Sequence, residues 1–258
     1  MPPISPPEAG SPADPVNPDV MRLATRDATP FASVVATAQA VAGTSSRTAK
    51  IARLAELLRG LAADEVEPAV GFLTASVRQG RLGVGWRTLA DLSAEPAQTA
   101  TLSIAEVDAA ISRLAAAGGA GAAAARTEEL TRLWAQATAV EQRLLAGILV
   151  GEVRIGALDG VLTDAVAKAA ERPLAEVRRA AMLLGSLGRT AYLALSGGDL
   201  AAVGLTVGVP VLPMLAATAM SAGEAVTALG PEPVSVEVKL DGARIQVHRH
   251  GGPGARVE

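Results

Sequence analysis

The chain has 258 residues, a formal charge of −3 and a hydrophobic fraction of 50%, which is enough for a substantial core in one or two domains. Aromatic residues make up only 2%, so that core must consist of Ala, Leu, Val and Ile, a composition that favours closely packed helices. The chain has no cysteine and only two histidines, which excludes disulfides and thiolate metal sites and argues against a zinc centre.

The first 30 residues predict a disordered tail. They begin MPPISPPEAGSPADPVNPDV, which is rich in proline and polar residues. This opening lacks the basic and apolar regions of a secretory signal, and no uncharged apolar run reaches the length of a membrane span, about 18 residues. We therefore expect a cytoplasmic protein without a membrane partner.

Residues 31–205 predict one all-helical domain. In TSSRTAKIARLAELLRGLAADE, either Ser45 or Ser46 is a candidate N-cap. The apolar residues that follow recur at helical spacing, at Ile51, Leu54, Leu57, Leu58 and Leu61. Further helices are predicted at about 65–78, 85–92, 103–117, 126–137, 140–152, 158–170 and 173–185, with Gly or Pro between them.

Two joints between these helices look alike and predict an internal duplication. SVRQGRLGVGWRTL and VGEVRIGALDGVL each contain Arg, an aliphatic residue and Gly, and Arg81 and Arg154 lie 73 residues apart. Gly83 and Gly156 would let the backbone turn tightly and approach a phosphate, beside the amino end of the next helix. The alternative is an ordinary helix end with a solvated arginine.

Basic residues form three local clusters despite the negative net charge. The clusters occupy residues 47–59, 76–88 and 172–189, and the first holds Arg47, Lys50 and Arg53. Such clusters suit sequence-independent contacts with the phosphates of duplex DNA, although arginine-rich helix faces are often only solvated surface.

A second domain is predicted from residue 206. Alternation puts Val234, Val236 and Val238 on one face of a strand and places Glu237 and Lys239 together on the other. The basic residues are almost all arginine, and Lys239 is one of only three lysines. A lysine amine can lose its proton and act as a nucleophile, which a guanidinium cannot do, although codon bias could also explain the scarcity.

KLDGAR, residues 239–244, resembles the K-x-D-G-x-R motif of covalent nucleotidyltransferases: ATP-dependent DNA ligases, RNA ligases and mRNA capping enzymes. VPVLPMLA, about thirty residues upstream, is similar to the segment that opens the adenylation domain of ATP-dependent DNA ligases. TSSRTAKIARLAELL and RLGVGW are similar to the DNA-binding domain of the same family. The resemblance, to ligases of bacterial type, implies a mainly helical fold: a helical-bundle DNA-binding domain followed by the first strands of an α+β, ATP-grasp-like nucleotidyltransferase domain.

The resemblance also implies the chemistry. Lys239 would attack the α-phosphate of ATP and carry AMP, with Mg²⁺ assisting, before AMP passes to the 5′-phosphate of a nick in duplex DNA. Glu237 would contact the adenine amino group and Arg244 the ribose or phosphate end; no residue is assigned to the metal. Such an enzyme would act as a monomer on the nucleoid in DNA replication, repair and recombination.

The later motifs of that family do not follow KLDGAR. We therefore expect residues 206–258 to be the truncated start of the adenylation domain and the chain to be an amino-terminal fragment that is inactive alone. RNA ligases and capping enzymes share the motif without a long helical domain, and NAD-dependent ligases place an aromatic-rich nucleotide-binding domain before it. The remaining alternative is a non-catalytic helical DNA-binding or scaffold protein in which KLDGAR is a hairpin turn.

Overall fold

The computed structural model describes residues 28–92, 94–153, 155, 159–213, 218–238, 241–243 and 245–249. These residues contain eleven α-helices and no assigned strand. The helices are α1 (Phe31–Ala42), α2 (Arg47–Gly60), α3 (Ala63–Thr74), α4 (Trp86–Ala90), α5 (Ile104–Ala116), α6 (Ala122–Gln136), α7 (Ala139–Val150), α8 (Asp159–Ala170), α9 (Leu174–Leu184), α10 (Leu187–Leu195) and α11 (Ala222–Leu229).

The prediction of a mainly helical fold is confirmed, and short polar side chains explain several helix starts. The Ser46 hydroxyl accepts a hydrogen bond from Ala49 N at 3.3 Å, which confirms one of the two predicted caps of α2. Ser103 and Thr138 cap α5 and α7 in the same way, each with a glutamate three residues later that accepts from the cap backbone. Sequence periodicity did not predict α10 or α11 as separate helices.

The core lies among α1 to α10 and is built mainly from Leu, Val, Ile and Ala. Its two phenylalanines, Phe31 of α1 and Phe72 of α3, are fully buried and meet edge to face, with ring centroids 5.7 Å apart. The aliphatic composition read from the sequence therefore corresponds to a close-packed helical interior.

Helices distant in the chain hold this body together. The Arg59 guanidinium at the end of α2 donates to Lys168 O of α8 at 2.8 Å. Gly188 of α10 lies against Glu67 of α3 so closely that a Cβ at position 188 would be 3.2 Å from Glu67 O. The amino-terminal helices therefore pack directly on the carboxyl-terminal half of the helical domain.

The segment after residue 205 differs from the helical body. Helix α11 has no buried residue, and Val236 and Val238 are 89% and 86% exposed. Residues 233–238, predicted as a strand, are assigned neither helix nor strand. A strand needs a neighbour for its backbone N–H and C=O groups, and the part of the chain that the structure describes offers none. None of the described helices has the length and apolar character to cross a membrane.

Glu65 joins the start of the described chain to α3. Its carboxylate is 3% exposed and accepts from Thr29 N at 2.7 Å, Thr29 Oγ1 at 2.5 Å and Ala62 N at 3.0 Å. A single buried side chain thus caps α3 and holds the entry to α1.

Replacing Glu65 with alanine should lower the free energy of unfolding by about 3 kcal/mol, because two backbone N–H groups lose their acceptor in a buried place. Glu106→Ala provides the control: Glu106 occupies the same position in the capping box of α5 but is exposed, and its loss should cost about 1 kcal/mol. Urea unfolding followed by circular dichroism measures both, and equal losses would contradict the anchoring role of Glu65.

Candidate nucleic-acid interface

The first joint follows α3. Ala75 has a left-handed backbone, φ 53°, and Ser76 N then donates to Gly71 O at 3.0 Å. The chain therefore folds back over the last turn of the helix that it has just left. A Cβ on Gly71 would lie 3.0 Å from Ser76 O and 3.3 Å from Val77 Cα, so glycine is required there.

The second joint, after α7, has the same geometry. Gly151 has φ 79°, Glu152 N donates to Gly147 O at 2.7 Å, and a Cβ on Gly147 would lie 3.0 Å from Glu152 O. Ile155 is 7% exposed, so this joint is held to the core. Arg154 and Gly156, predicted to contact phosphate, lie outside the described residues.

The two joints align at a spacing of 76 residues rather than 73. Gly71 corresponds to Gly147 in geometry, and the buried capping glutamates Glu65 and Glu141 keep the same spacing. In this register the equivalent of Arg154 is Arg78. The pairing of Arg81 with Arg154 is therefore wrong by three residues, because the Arg-aliphatic-Gly triplet occurs twice near each other in the first joint region only by composition.

Arg78 has a buried partner that its own segment does not reveal. Its Nε donates to Asp108 Oδ1 at 3.1 Å, and its Nη2 bonds the other carboxylate oxygen. Gln79 Nε2 also donates to Asp108 Oδ1, at 2.8 Å, and the hydrogen bond to Asp108 raises the pKa of Arg78 above its ordinary value. Arg78 therefore anchors the joint to α5, and its charge is largely compensated.

Arg81 is the exposed cation of the first joint. Leu82 beside it is 5% exposed, so the joint is pinned to the core while Arg81 points to solvent. Gly83 has φ 68° and open space where a Cβ would be, which leaves its backbone accessible to a partner. Trp86, at the start of α4, is 55% exposed, and sequence reasoning did not select it.

Two of the three basic clusters meet at Asp164 of α8. Its carboxylate accepts from Arg47 of α2 at 2.7 Å and from Arg178 of α9 at 3.2 Å. Both arginine side chains remain more than half exposed, at 57% and 59%. The pair therefore presents two guanidinium groups around one carboxylate, a junction that the sequence could not show because the partners are 117 and 14 residues from Asp164.

The other predicted cations of α2 differ in their surroundings. Arg53 is exposed and lies 3.6 Å from Glu56 one turn later, an arrangement of little energetic weight. Lys50 is half-buried on the same helix. The structure thus brings Arg47, Lys50 and Arg53 onto one element but gives each a different degree of exposure.

The KLDGAR motif is described only in part. Glu237 is exposed and accepts from the Ser235 hydroxyl at 3.3 Å, whereas Lys239 and Arg244 lie outside the described residues. Within the described ranges, no group of three or more His, Asp or Glu side chains is arranged to hold a metal ion.

A helical domain with two similar joints, followed by KLDGAR, has the arrangement of a covalent nucleotidyltransferase preceded by a helical module. A family model described as "DNA ligase N terminus" matches residues 92–167, and one described as "ATP dependent DNA ligase domain" matches residues 213–254. The chain belongs to the ATP-dependent DNA ligase family.

Curated bacterial relatives agree with this assignment. A probable DNA ligase of Pseudarthrobacter chlorophenolicus is 56% identical over 221 residues, which cover 85% of this chain and 43% of the relative. Probable DNA ligases of Rhodococcus opacus and Anaeromyxobacter dehalogenans are 51% and 53% identical, each covering 86% of this chain and 44% of the relative. The chain thus spans less than half the length of these relatives.

Gly71→Ala and Gly147→Ala should each lower the free energy of unfolding by about 1–3 kcal/mol, because the added methyl meets a backbone oxygen that cannot move aside cheaply. Gly60→Ala is the matched control. Position 60 has open space and no left-handed backbone, so alanine there should be neutral or stabilising by up to about 1 kcal/mol. Thermal and urea unfolding of the three variants decides the matter; tolerance of alanine at both joints would contradict the close approach.

Proposed function

We propose that this chain is the amino-terminal part of an ATP-dependent DNA ligase that seals nicks in duplex DNA through a lysine–AMP intermediate. The observation that carries the proposal is the KLDGAR motif, which follows a helical domain with two joints of the same geometry. The identity of more than half of the aligned residues to a probable DNA ligase supports it.

The chemical step is assigned to Lys239. Its neutral amine attacks the α-phosphate of ATP, pyrophosphate leaves, and a phosphoramidate bond holds AMP on the side chain. The 5′-phosphate of the nick then takes the AMP, and the 3′-hydroxyl displaces it to form the phosphodiester. We assign Glu237 to the adenine amino group and Arg244 to the ribose or phosphate of the same nucleotide. Mg²⁺ would supply charge neutralisation on the phosphates, and no residue of this chain is assigned to it.

Binding of the duplex is assigned to residues 31–205, a DNA-binding domain that we infer arose by internal duplication. Arg81 with Gly83, and Arg154 with Gly156, would contact phosphates at the two joints. Arg47 and Arg178 support a third contact, because both remain largely exposed while Asp164 fixes their position. Lys50 and Arg53 extend the same helix surface, and no base reading is required.

The cellular setting follows from this reaction. We propose a monomer that works in the cytoplasm on the nucleoid, in replication, repair or recombination, without a membrane partner. Residues 206–258 would form the start of the adenylation domain, whose strands would pair within the longer relatives.

The chain should bind nicked duplex DNA with little sequence preference and with a steep salt dependence, since neutralised phosphates release counterions. Arg81→Gln with Arg154→Gln should reduce the slope of log affinity against log salt by about 2, roughly one unit for each lost contact. Fluorescence anisotropy of labelled DNA between about 50 and 200 mM salt measures the slope.

Arg113→Gln with Arg132→Gln is the matched control, because it removes two half-exposed arginines that share Glu129 outside the joints. This control should keep the slope of the parent. Trp86 offers a local signal beside Arg81, since Trp134 is only 8% exposed. An unchanged slope in the joint variant, or no binding by the parent, would contradict the proposed interface.

With ATP labelled at the α-phosphate and Mg²⁺, a chain continued through the remainder of the Pseudarthrobacter chlorophenolicus relative should acquire AMP on Lys239. Lys239→Arg should abolish the adduct and keep the fold, because arginine preserves the charge but cannot present a neutral amine. Mass spectrometry of the intact protein and its peptides measures both results.

Lys50→Arg and Lys168→Arg serve as controls and should leave the adduct unchanged. The 258-residue chain alone should give no detectable adduct, because positioning and electrostatic stabilisation by the rest of the enzyme each commonly contribute several kcal/mol. AMP on another lysine would refute the assignment. DNA binding without any adduct would indicate a non-catalytic DNA-binding protein instead.

A further inference from the structure

The connector after α10 is fixed to the carboxyl end of α9. Leu212 N donates to Met182 O at 2.9 Å. Gly185, which ends α9 with φ 63°, lies so close to the connector that a Cβ would be 3.1 Å from Pro210 O. One side of residues 210–212 therefore contacts the helical domain.

Gln246 contacts the same connector from the segment that follows KLDGAR. Its Oε1 accepts from Val211 N at 2.9 Å, and its Nε2 donates to Val211 O at 2.7 Å. One side chain thus satisfies both backbone groups of one residue, as a neighbouring strand would. Among uncharged side chains, only a primary amide supplies both an N–H donor and a C=O acceptor in this fork.

A second contact supports this arrangement. His248 Nδ1 accepts from Gly208 N at 3.3 Å. Position 246 therefore contacts 211 while 248 contacts 208, so the two segments run antiparallel although no strand is assigned to either. Contact passes without interruption from Met182 of α9 through the connector to Gln246, two residues after Arg244.

We propose that Gln246 is a positioning residue: it holds the segment after KLDGAR against the connector and thereby fixes the motif relative to the DNA-binding helical domain. The proposal rests on the ligase function proposed above. Formation of lysine–AMP needs only the nucleotide and its own domain, whereas transfer of AMP to a nick needs the motif and the bound duplex in a fixed relation. Gln246 therefore serves the DNA-dependent steps.

The contact itself is tested in the 258-residue chain by hydrogen exchange. Gln246→Ala should accelerate exchange of the Val211 amide about three- to tenfold, because its acceptor is lost. Gln246→Glu keeps an acceptor for Val211 N but cannot donate to Val211 O, so it should fall between parent and alanine. Gln136→Ala removes an exposed glutamine of α6 and should leave Val211 unchanged. Unchanged exchange in Gln246→Ala would overturn the proposal.

The positioning role is tested in the chain continued through the Pseudarthrobacter chlorophenolicus relative. Gln246→Ala should keep the rate of lysine adenylation within about twofold and slow sealing by the adenylated enzyme about tenfold, with partial rescue by Gln246→Glu. Equal loss in both steps would indicate a merely structural role, and no loss in sealing would also overturn the proposal. If the parent forms no lysine–AMP, the ligase function fails instead, and hydrogen exchange still judges the contact.

Discussion

The helical domain depends on the close approach of backbone to backbone at Gly71 and Gly147. At each position the chain that leaves a helix returns over its last turn, with a hydrogen bond from Ser76 N or Glu152 N to the glycine carbonyl. This return stops the helix and directs the next residues along the surface, while Leu82 and Ile155 are inserted into the core. The exposed arginine and glycines of the first joint owe their position to this constraint.

Electrostatic pairing then divides the arginines into two groups. Asp108 compensates Arg78 in a largely buried pair, and such a pair costs desolvation that its hydrogen bonds must offset, so it specifies geometry more than it adds stability. Asp164 instead gathers Arg47 and Arg178 without covering them. A net charge of −3 is therefore compatible with local surfaces on which guanidinium groups face solvent.

The helices could be predicted from sequence because periodicity and capping act within a few residues. The cap of α2 by Ser46 and the starts of α5 and α7 follow from such local signals. The partners of the arginines could not be predicted, since Asp108 lies 30 residues from Arg78 and Asp164 lies 117 residues from Arg47. For the same reason the register of the two joints was misread: the Arg-aliphatic-Gly letters suggested 73, and hydrogen bonding gives 76.

The predicted site is known to different depths for a related reason. A six-residue motif carries its chemistry in the letters, so Lys239 could be selected without a fold. Glu237 is exposed beside Ser235, and its role depends on neighbours that lie far away in the chain. The strand predicted at 233–238 shows the same limit, because alternation of Val234, Val236 and Val238 specifies a face but not the strand that would pair with it.

The packing of α2 on α8 has a consequence for synthesis on the ribosome. Arg47 and Arg59 reach Asp164 and the carbonyl of Lys168, more than one hundred residues later. The first helices therefore leave the exit tunnel long before their partners exist, and their apolar faces must wait for α8. The nascent chain can close its core only after the second joint has emerged, so the two halves of the helical domain mature together and neither is a folding unit by itself.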